Sequence, residues 1–270
     1  MRNYCFVCNQ RIVKIGSIDR NTILKCENCG LGVTKKVSIQ KGQYHRDNTY
    51  IEEEELFKNI FKKRVYVISK FKDRGKALEV GCSTGILLGL LKGKGWKVRG
   101  VEISENAAKI AQERGIDVVT EPFEKLIPEE KFDLIIFNHT FEHLKSPKDV
   151  LEKAHSMLAS NGLLYIDLPN FGGITAKILG IRWPMLLPNE HLWHFTYKAL
   201  KLLLTDLGFK IIYVERASGV WDYGNPLKGI LISLFSFKKR FFIETLTAIP
   251  SWIVSKIGMG SDLMVIAKKI

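Results

Sequence analysis

The chain has 270 residues, 46% of them apolar, and a formal net charge of +13. That length supplies one main domain with appendages. There is no low-complexity tract, no internal repeat, no leader-like apolar core in MRNYCFVCNQ and no apolar run of the ~18 residues a spanning helix needs, so a soluble, cytoplasmic protein is expected. The charge is uneven: residues 1–75 carry a net +8, residues 76–215 carry none, and residues 216–270 carry +5. Basic ends suit an anionic partner, whether nucleic acid, an acidic membrane or a phosphorylated substrate, or serve solubility alone.

In chain order, the first feature is a pair of Cys-x2-Cys turns, Cys5/Cys8 and Cys26/Cys29. Two thiolates from each turn close a tetrahedron, so residues 1–34 read as a zinc ribbon of short strands whose Zn2+ stands in for a missing apolar core. Two disulfides are the alternative for an exported module. Residues 35–75 read as a polar linker and then an amphipathic helix over 51–74, with Leu56, Ile60, Val67 and Phe71 at helical spacing and acids at its start. From 76 onward strands and helices alternate. Strands are expected at 76–81, 97–103, 116–120, 132–138, 162–169, 209–215 and 262–269, with helices at 85–95, 105–115, 147–158 and 197–208. Alternation of this kind predicts an α/β domain over 76–270, a mostly parallel, Rossmann-like sheet covered on both faces, with ligands at the carboxyl ends of its strands.

The stretch LEVGCSTGI (78–86) is a strand, a glycine turn and a helix start. Gly81 permits the turn, Gly85 opens the helix N-terminus, and Glu102 ends the next strand, where an acid can accept from both ribose hydroxyls. A dinucleotide fingerprint needs glycines at 81, 83 and 86; Ser83 and Ile86 stand at two of these, which fits NAD poorly.

Glu79-x-Gly81-x-x-x-Gly85, Glu102, FDLIIFNHTFEHL and LASNGLLYIDLPN together resemble class I S-adenosylmethionine-dependent methyltransferases, over residues 76–215 plus the last strand. The resemblance implies a seven-stranded sheet and S-adenosylmethionine as cofactor. It implies that Glu79, Gly81, Cys82 and Gly85 shape the loop at the methionine end, with Cys82 a small loop residue. Glu102 and the adjoining Ile103 fall at the ribose, Glu121 or Phe123 at the adenine, and Asn138 and His139 on the methyl-transfer face. The Asn/Asp-Pro-Pro-aromatic turn of base-methylating enzymes is absent from NHTFEHL, and the Glu142–His143 pair reads as a structural pin.

PNEHLWHFT (188–196) concentrates two of six histidines. Glu190, His191 and His194 are readable as metal ligands, as packing around Trp193 and Phe195 with Thr196 capping the next helix, or as a base with its partner. The catalytic reading is preferred, because methyl transfer needs an aligned nucleophile and a group to take its proton. A zinc-binding N-terminal module, this domain and a Glu-His-x-x-aromatic segment are together similar to the nucleotide-sugar C-methyltransferases. That similarity implies His191 as base beside Glu190, with His194 where those enzymes usually show tyrosine.

An insertion over 221–261 holds apolar helix-length runs split by Lys238, Lys239 and Arg240. It reads as helices that pack on the domain, form a homodimer interface, or lie as a lid on an anionic membrane. The resulting expectation is methyl transfer to a sugar, glycan or glycolipid, with a small-molecule or lipid-linked saccharide as substrate and peripheral membrane contact through 221–261. The rivals are an RNA methyltransferase and a non-catalytic cofactor-binding zinc-ribbon protein.

Overall fold

The structure, a computed structural model, describes residues 4–35, 47–127, 130–235 and 239–270. Most of the expected linker lies outside the described residues. The cysteine turns sit beside an antiparallel ribbon of β1 (Ile12–Ile18), β2 (Asn21–Cys26) and β3 (Gly32–Lys35). Asp19 and Arg20, with φ of 48° and 63°, join β1 to β2 in the left-handed two-residue turn whose twist matches paired strands.

The expected helix over 51–74 is present as two pieces, α1 (Asp47–Glu52) and α2 (Glu54–Ser69). Glu54 and Glu55 occupy the first turn of α2, where the helix dipole favours acids, so a new helix starts there. Phe71 lies past its end, 5.7 Å from the Tyr213 ring.

The main domain then runs β4 (Lys76–Val80), α3 (Ile86–Lys92), β5 (Lys97–Val101), α4 (Glu105–Glu113), β6 (Asp117–Val119), β7 (Phe132–Asn138) and α5 (Pro147–Met157). It continues with β8 (Leu158–Pro169), α6 (Ile174–Leu179), β9 (Trp193–His194), α7 (Tyr197–Asp206), β10 (Phe209–Glu215), α8 (Pro226–Phe235), α9 (Lys239–Lys256) and β11 (Asp262–Lys269). The seven-stranded sheet has the order β6-β5-β4-β7-β8-β11-β10, with β11 antiparallel to both neighbours. The strand order therefore reverses between β4 and β7, which opens a crevice at their carboxyl ends.

Alternation along the strands divides the core. Ile135 and Phe137 of β7 and Leu164 and Ile166 of β8 face α5, α7 and the ribbon cysteines. Leu134 and Ile136, with Leu163 and Tyr165, face α2, α3 and α4. The sequence did not reveal one connection: β3 pairs with β9, Gly32 opposite His194 and Val33 opposite Trp193. The ribbon is thus joined, as part of one sheet, to the segment that carries the histidines.

Candidate active site

The crevice is built first from β4 and its turn. Gly81 (φ 73°) and Ser83 (φ 46°) both adopt left-handed backbone, and Gly85 (φ 75°) precedes α3. A Cβ on Gly81 would stand 2.4 Å from Thr140 Oγ1, so the turn after β4 lies directly on the turn after β7. A Cβ on Gly85 would meet Ile116 at 2.5 Å, which makes this glycine a packing requirement as well as a helix opening. Cys82 turns inward, where a Cβ on Gly100 would reach its sulfur at 2.5 Å; burial pushes its thiol up, and only its backbone faces the crevice.

Glu102 closes the loop. Its Oε2 accepts from the Ser83 amide at 2.8 Å and its Oε1 from the Ser104 amide at 2.9 Å. Each oxygen keeps a second lone pair for a ribose hydroxyl. Ile103 beside it is 52% exposed, an apolar surface suited to a flat ring. Glu121 is half-buried. Phe123 is buried edge-on against Phe137 (5.8 Å) in an aromatic string, so its side chain belongs to the core. Glu79 is buried, its Oε2 has no partner among the described residues, and burial with the nearby Glu102 charge raises its carboxyl well above the ordinary range. Asn138 Oδ1 is likewise buried and unpartnered among the described residues. Orphaned polar atoms around a glycine turn at a helix start fit an adenosyl sulfonium ligand.

At the end of β7, His139 holds a left-handed backbone (φ 51°), a strained conformation of the kind that gathers at functional sites. Its Nδ1 stands 3.7 Å from Glu142 and its Nε2 3.9 Å from Asp262. Enclosure by protein lowers its basicity, but Glu142, Asp167 and Asp262 outweigh this and raise it to about 9. Burial raises Asp262 to about 7, aided by the Asp222 charge. Burial raises Glu142 too, yet the facing histidines, His139 foremost, bring it down to about 2.

PNEHLWHFT wraps this corner. Leu187 (φ 40°) turns the chain sharply, and the Glu190 and His191 amides both donate to its carbonyl at 2.8 Å. His191 is 4% exposed, its Nδ1 lies 3.0 Å from the Met185 carbonyl and its Nε2 3.8 Å from Glu142. Burial pushes it down to about 4. Glu190 uses its carbonyl to hold His143 Nδ1 at 3.1 Å. His194 lies apart, its Nε2 2.8 Å from Thr34 Oγ1 on the ribbon, and burial takes it to about 3. The structure therefore brings His191 to the crevice, gives Glu190 a backbone role and makes His194 the contact with the ribbon.

The four ribbon cysteines converge, with Cys5–Cys29 sulfurs 3.6 Å apart and Cys8–Cys26 sulfurs 3.4 Å apart, and none is in a disulfide. Tetrahedral zinc with bonds of ~2.3 Å sets its thiolates ~3.8 Å apart, so the donor set and spacing fit that ion.

Residues 52–214 match the family model described as a methyltransferase domain. The chain belongs to this methyltransferase family. It is 25% identical over 246 residues to malonyl-[acyl-carrier protein] O-methyltransferase 1 of Ilyobacter polytropus, covering 84% of this chain and 90% of that one. It is also 25% identical over 151 residues to the C-methyltransferase NovU of Streptomyces niveus, spanning 54% of this chain and 35% of NovU. Its fold resembles that of a crystallised S-adenosylmethionine-dependent methyltransferase of Thermotoga maritima, with a TM-score of 0.58, 20% identity and coverage of 83% and 96%.

Two features of this methyltransferase were not foreseen. One is a buried ion cluster: Arg64 of α2 reaches Asp167 of β8 at 2.8 Å and Asp222 of the insertion at 2.7 Å. An arginine on an apolar helical stripe and an aspartate inside LLYIDLP were the available signals. The other is a cleft of about 770 Å³ at the seam between ribbon and core, with Lys25, Lys177, Lys198, Arg216 and Asn170 in its walls. Among the described residues, no helix is long and apolar enough to cross a membrane.

Proposed function

We propose that this methyltransferase uses S-adenosylmethionine to methylate an anionic sugar, glycan or glycolipid acceptor, with the ribbon holding structural zinc. The observation that carries the reading is the glycine turn after β4 locked onto Glu102 at the strand-order reversal, within a matched methyltransferase domain. Glu79, Gly81, Gly85, Glu102, Ile103, Glu121 and Asn138 would hold the cofactor. When bound, that cofactor supplies a methyl group on a sulfonium.

The chain's own residues position the acceptor and receive its proton. His139 is favoured as base by its half-open place next to the Gly81 turn, whereas His191 is buried behind Glu142. Resting as an imidazolium beside two carboxylates, His139 loses proton affinity when a positive charge arrives at the crevice. With the cofactor bound, the imidazole of His139 would receive the proton of the acceptor. Phe195, stacked on Phe141 at 5.2 Å, makes the floor behind this corner apolar.

The seam cleft supports an anionic acceptor, since its walls carry four cations against Glu27. The insertion supports a lipid-linked or otherwise apolar-tailed one. Leu246, Ile249, Trp252, Ile253 and Ile257 form an exposed stripe on and just past α9. Binding of the protein to anionic vesicles, reduced by Trp252→Ser/Ile253→Ser, is expected; a second copy covering the stripe would instead show as a dimer in sedimentation.

The test is transfer of labelled methyl to separated pools of nucleotide sugars, lipids with their glycans, and total RNA. Label in a sugar or lipid pool, lost in His139→Ala, is the expected result. Label in RNA alone would overturn the acceptor class.

A further inference from the structure

We propose that Glu142, His143 and His191 bind a divalent transition-metal ion on the acceptor side of the crevice, separate from the cysteine cluster. Only the use of this ion in methyl transfer rests on the function proposed above.

The carboxylate of Glu142 is the starting point. The residue is 1% exposed, and neither oxygen has a hydrogen-bond partner among the described residues. The facing nitrogens, His139 Nδ1 at 3.7 Å and His191 Nε2 at 3.8 Å, lie beyond hydrogen-bond length. The charge of this buried carboxylate is thus met by the rings around it only through ionic contacts longer than a hydrogen bond, which leaves both oxygens free to ligate.

The histidines are oriented for an ion. His191 Nδ1 faces the Met185 carbonyl at 3.0 Å, and a carbonyl only accepts, so this nitrogen carries the hydrogen. Nε2 is then the nitrogen left for a ligand, and it lies 3.8 Å from a Glu142 carboxylate oxygen. His143 is fixed in the same way, its Nδ1 on the Glu190 carbonyl at 3.1 Å. Anchoring one imidazole nitrogen to a backbone carbonyl while the other ligates is the usual support of a metal-bound histidine. The His143 and His191 rings meet edge to face with centroids 4.7 Å apart.

One ligand atom from each of the three residues lies within 4.8 Å of the others. Bonds of ~2.1 Å keep ligands on one ion within ~4.2 Å of each other, so side-chain rotations of less than ~1 Å close the site. Two imidazoles and one carboxylate select Zn2+, Fe2+ or Mn2+ over Mg2+ or Ca2+. Three protein ligands leave coordination positions open, as in catalytic sites and unlike the closed four-cysteine set. An acceptor hydroxyl on an open position becomes more acidic, and its proton has a destination in His139. The ion is not consumed and its charge does not change.

The test is a Mn2+ titration of the full chain, followed by electron paramagnetic resonance and calorimetry. Mn2+ is chosen because thiolate ribbons disfavour it. About one equivalent is expected to bind, and Glu142→Gln or His191→Gln is expected to weaken it by ~100-fold or more, since each removes a ligand outright. Circular dichroism identifies a variant that fails to fold, and the other then decides. S-adenosylmethionine binding, measured separately by calorimetry, should persist in both variants; its loss in the native chain would defeat the cofactor reading and leave the metal result standing. Wild-type protein that binds neither Mn2+ nor zinc beyond the ribbon's equivalent overturns the proposal, as does undiminished binding in the folded variants.

Discussion

Replacing Arg64 by alanine should be among the most damaging single changes outside the crevice. The guanidinium is 1% exposed and makes three short contacts, to Asp167 Oδ2 (2.8 Å), Asp222 Oδ2 (2.7 Å) and the Asp222 carbonyl (2.8 Å). Among the described residues, its loss leaves Asp167 with one side-chain hydrogen bond, from the Tyr165 hydroxyl at 3.3 Å, at 1% exposure. Removing one partner of a buried ion pair costs about 3–5 kcal/mol. Asp222 is 12% exposed at its side chain and regains some water, which selects the lower part of that range, ~3–4 kcal/mol. For a domain of this size that lowers the melting temperature by roughly 10 °C. Urea unfolding followed by far-ultraviolet circular dichroism reads the loss. Because Arg64 joins α2, β8 and the insertion, Asp222→Ala on top of Arg64→Ala should add much less than it does alone. A loss under ~1 kcal/mol for Arg64→Ala would refute the account, since it would mean that water or another cation already satisfies the two carboxylates.

Three further outcomes are expected. Gly81→Ala places a Cβ 2.4 Å from Thr140 Oγ1 at a left-handed φ, so S-adenosylmethionine affinity measured by calorimetry should fall at least ~10-fold, with partial recovery in Gly81→Ala/Thr140→Gly. Glu79 has a folded-state carboxyl raised well above the ordinary value, so the native state keeps its proton after the unfolded chain has lost it. Its contribution to stability therefore falls as pH rises above ~4.3, by ~1.4 kcal/mol per unit until the folded value is reached. Glu79→Gln should remove that slope in cofactor-free unfolding curves and gain stability at pH 8 relative to wild type; parallel curves would show that the acid is not buried in its neutral form. Thr34→Val strips the 2.8 Å partner from buried His194, so hydrogen exchange across Gly32–Lys35 should accelerate and about 1–3 kcal/mol of local stability should vanish. Unchanged protection there would mean that the backbone pairing of β3 with β9 is sufficient alone.

Much of this was legible because it depends on short-range pattern. Each of the seven strands of the large sheet was found near its expected place, since apolar runs of strand length bounded by turns have few other uses in an alternating chain. The cysteine turns were readable from spacing, and the glycine turn from its place between a strand and a helix. Polar contacts over long range were not readable. Arg64 and Asp167 stand 103 positions apart in the chain and meet only because α2 covers the face toward which Tyr165 and Asp167 point. The pairing of β3 with β9 could not be seen either, because Trp193–His194 is too short to show strand periodicity. That pairing is also why PNEHLWHFT resisted a single reading. Its two histidines are three apart but serve different neighbours, His191 the crevice and His194 the ribbon.

The cysteine ribbon and the segment that carries His191 consequently form one hydrogen-bonded unit. Cys26 ends β2, Cys29 lies in the turn before β3, and β3 pairs with β9, which starts two residues after His191. The Thr34 amide donates to the Leu192 carbonyl at 2.9 Å, and the Leu192 amide donates to the Glu142 carbonyl at 3.0 Å. A continuous backbone path therefore runs from the cysteine cluster through β3 to the residue bearing the buried carboxylate. An ion bound in the ribbon would act, through these two hydrogen bonds, on the distance between Glu142 and His191. The same segment is held from the other side by the Leu187 carbonyl, which accepts from the Glu190 and His191 amides at 2.8 Å, and by the Trp193 indole, which donates to the Leu144 carbonyl at 2.8 Å. A zinc ion bound by the four cysteines would on this geometry brace the imidazole of His191 and the carboxylate of Glu142 as well as the ribbon, because the ribbon is built into the sheet beside the crevice.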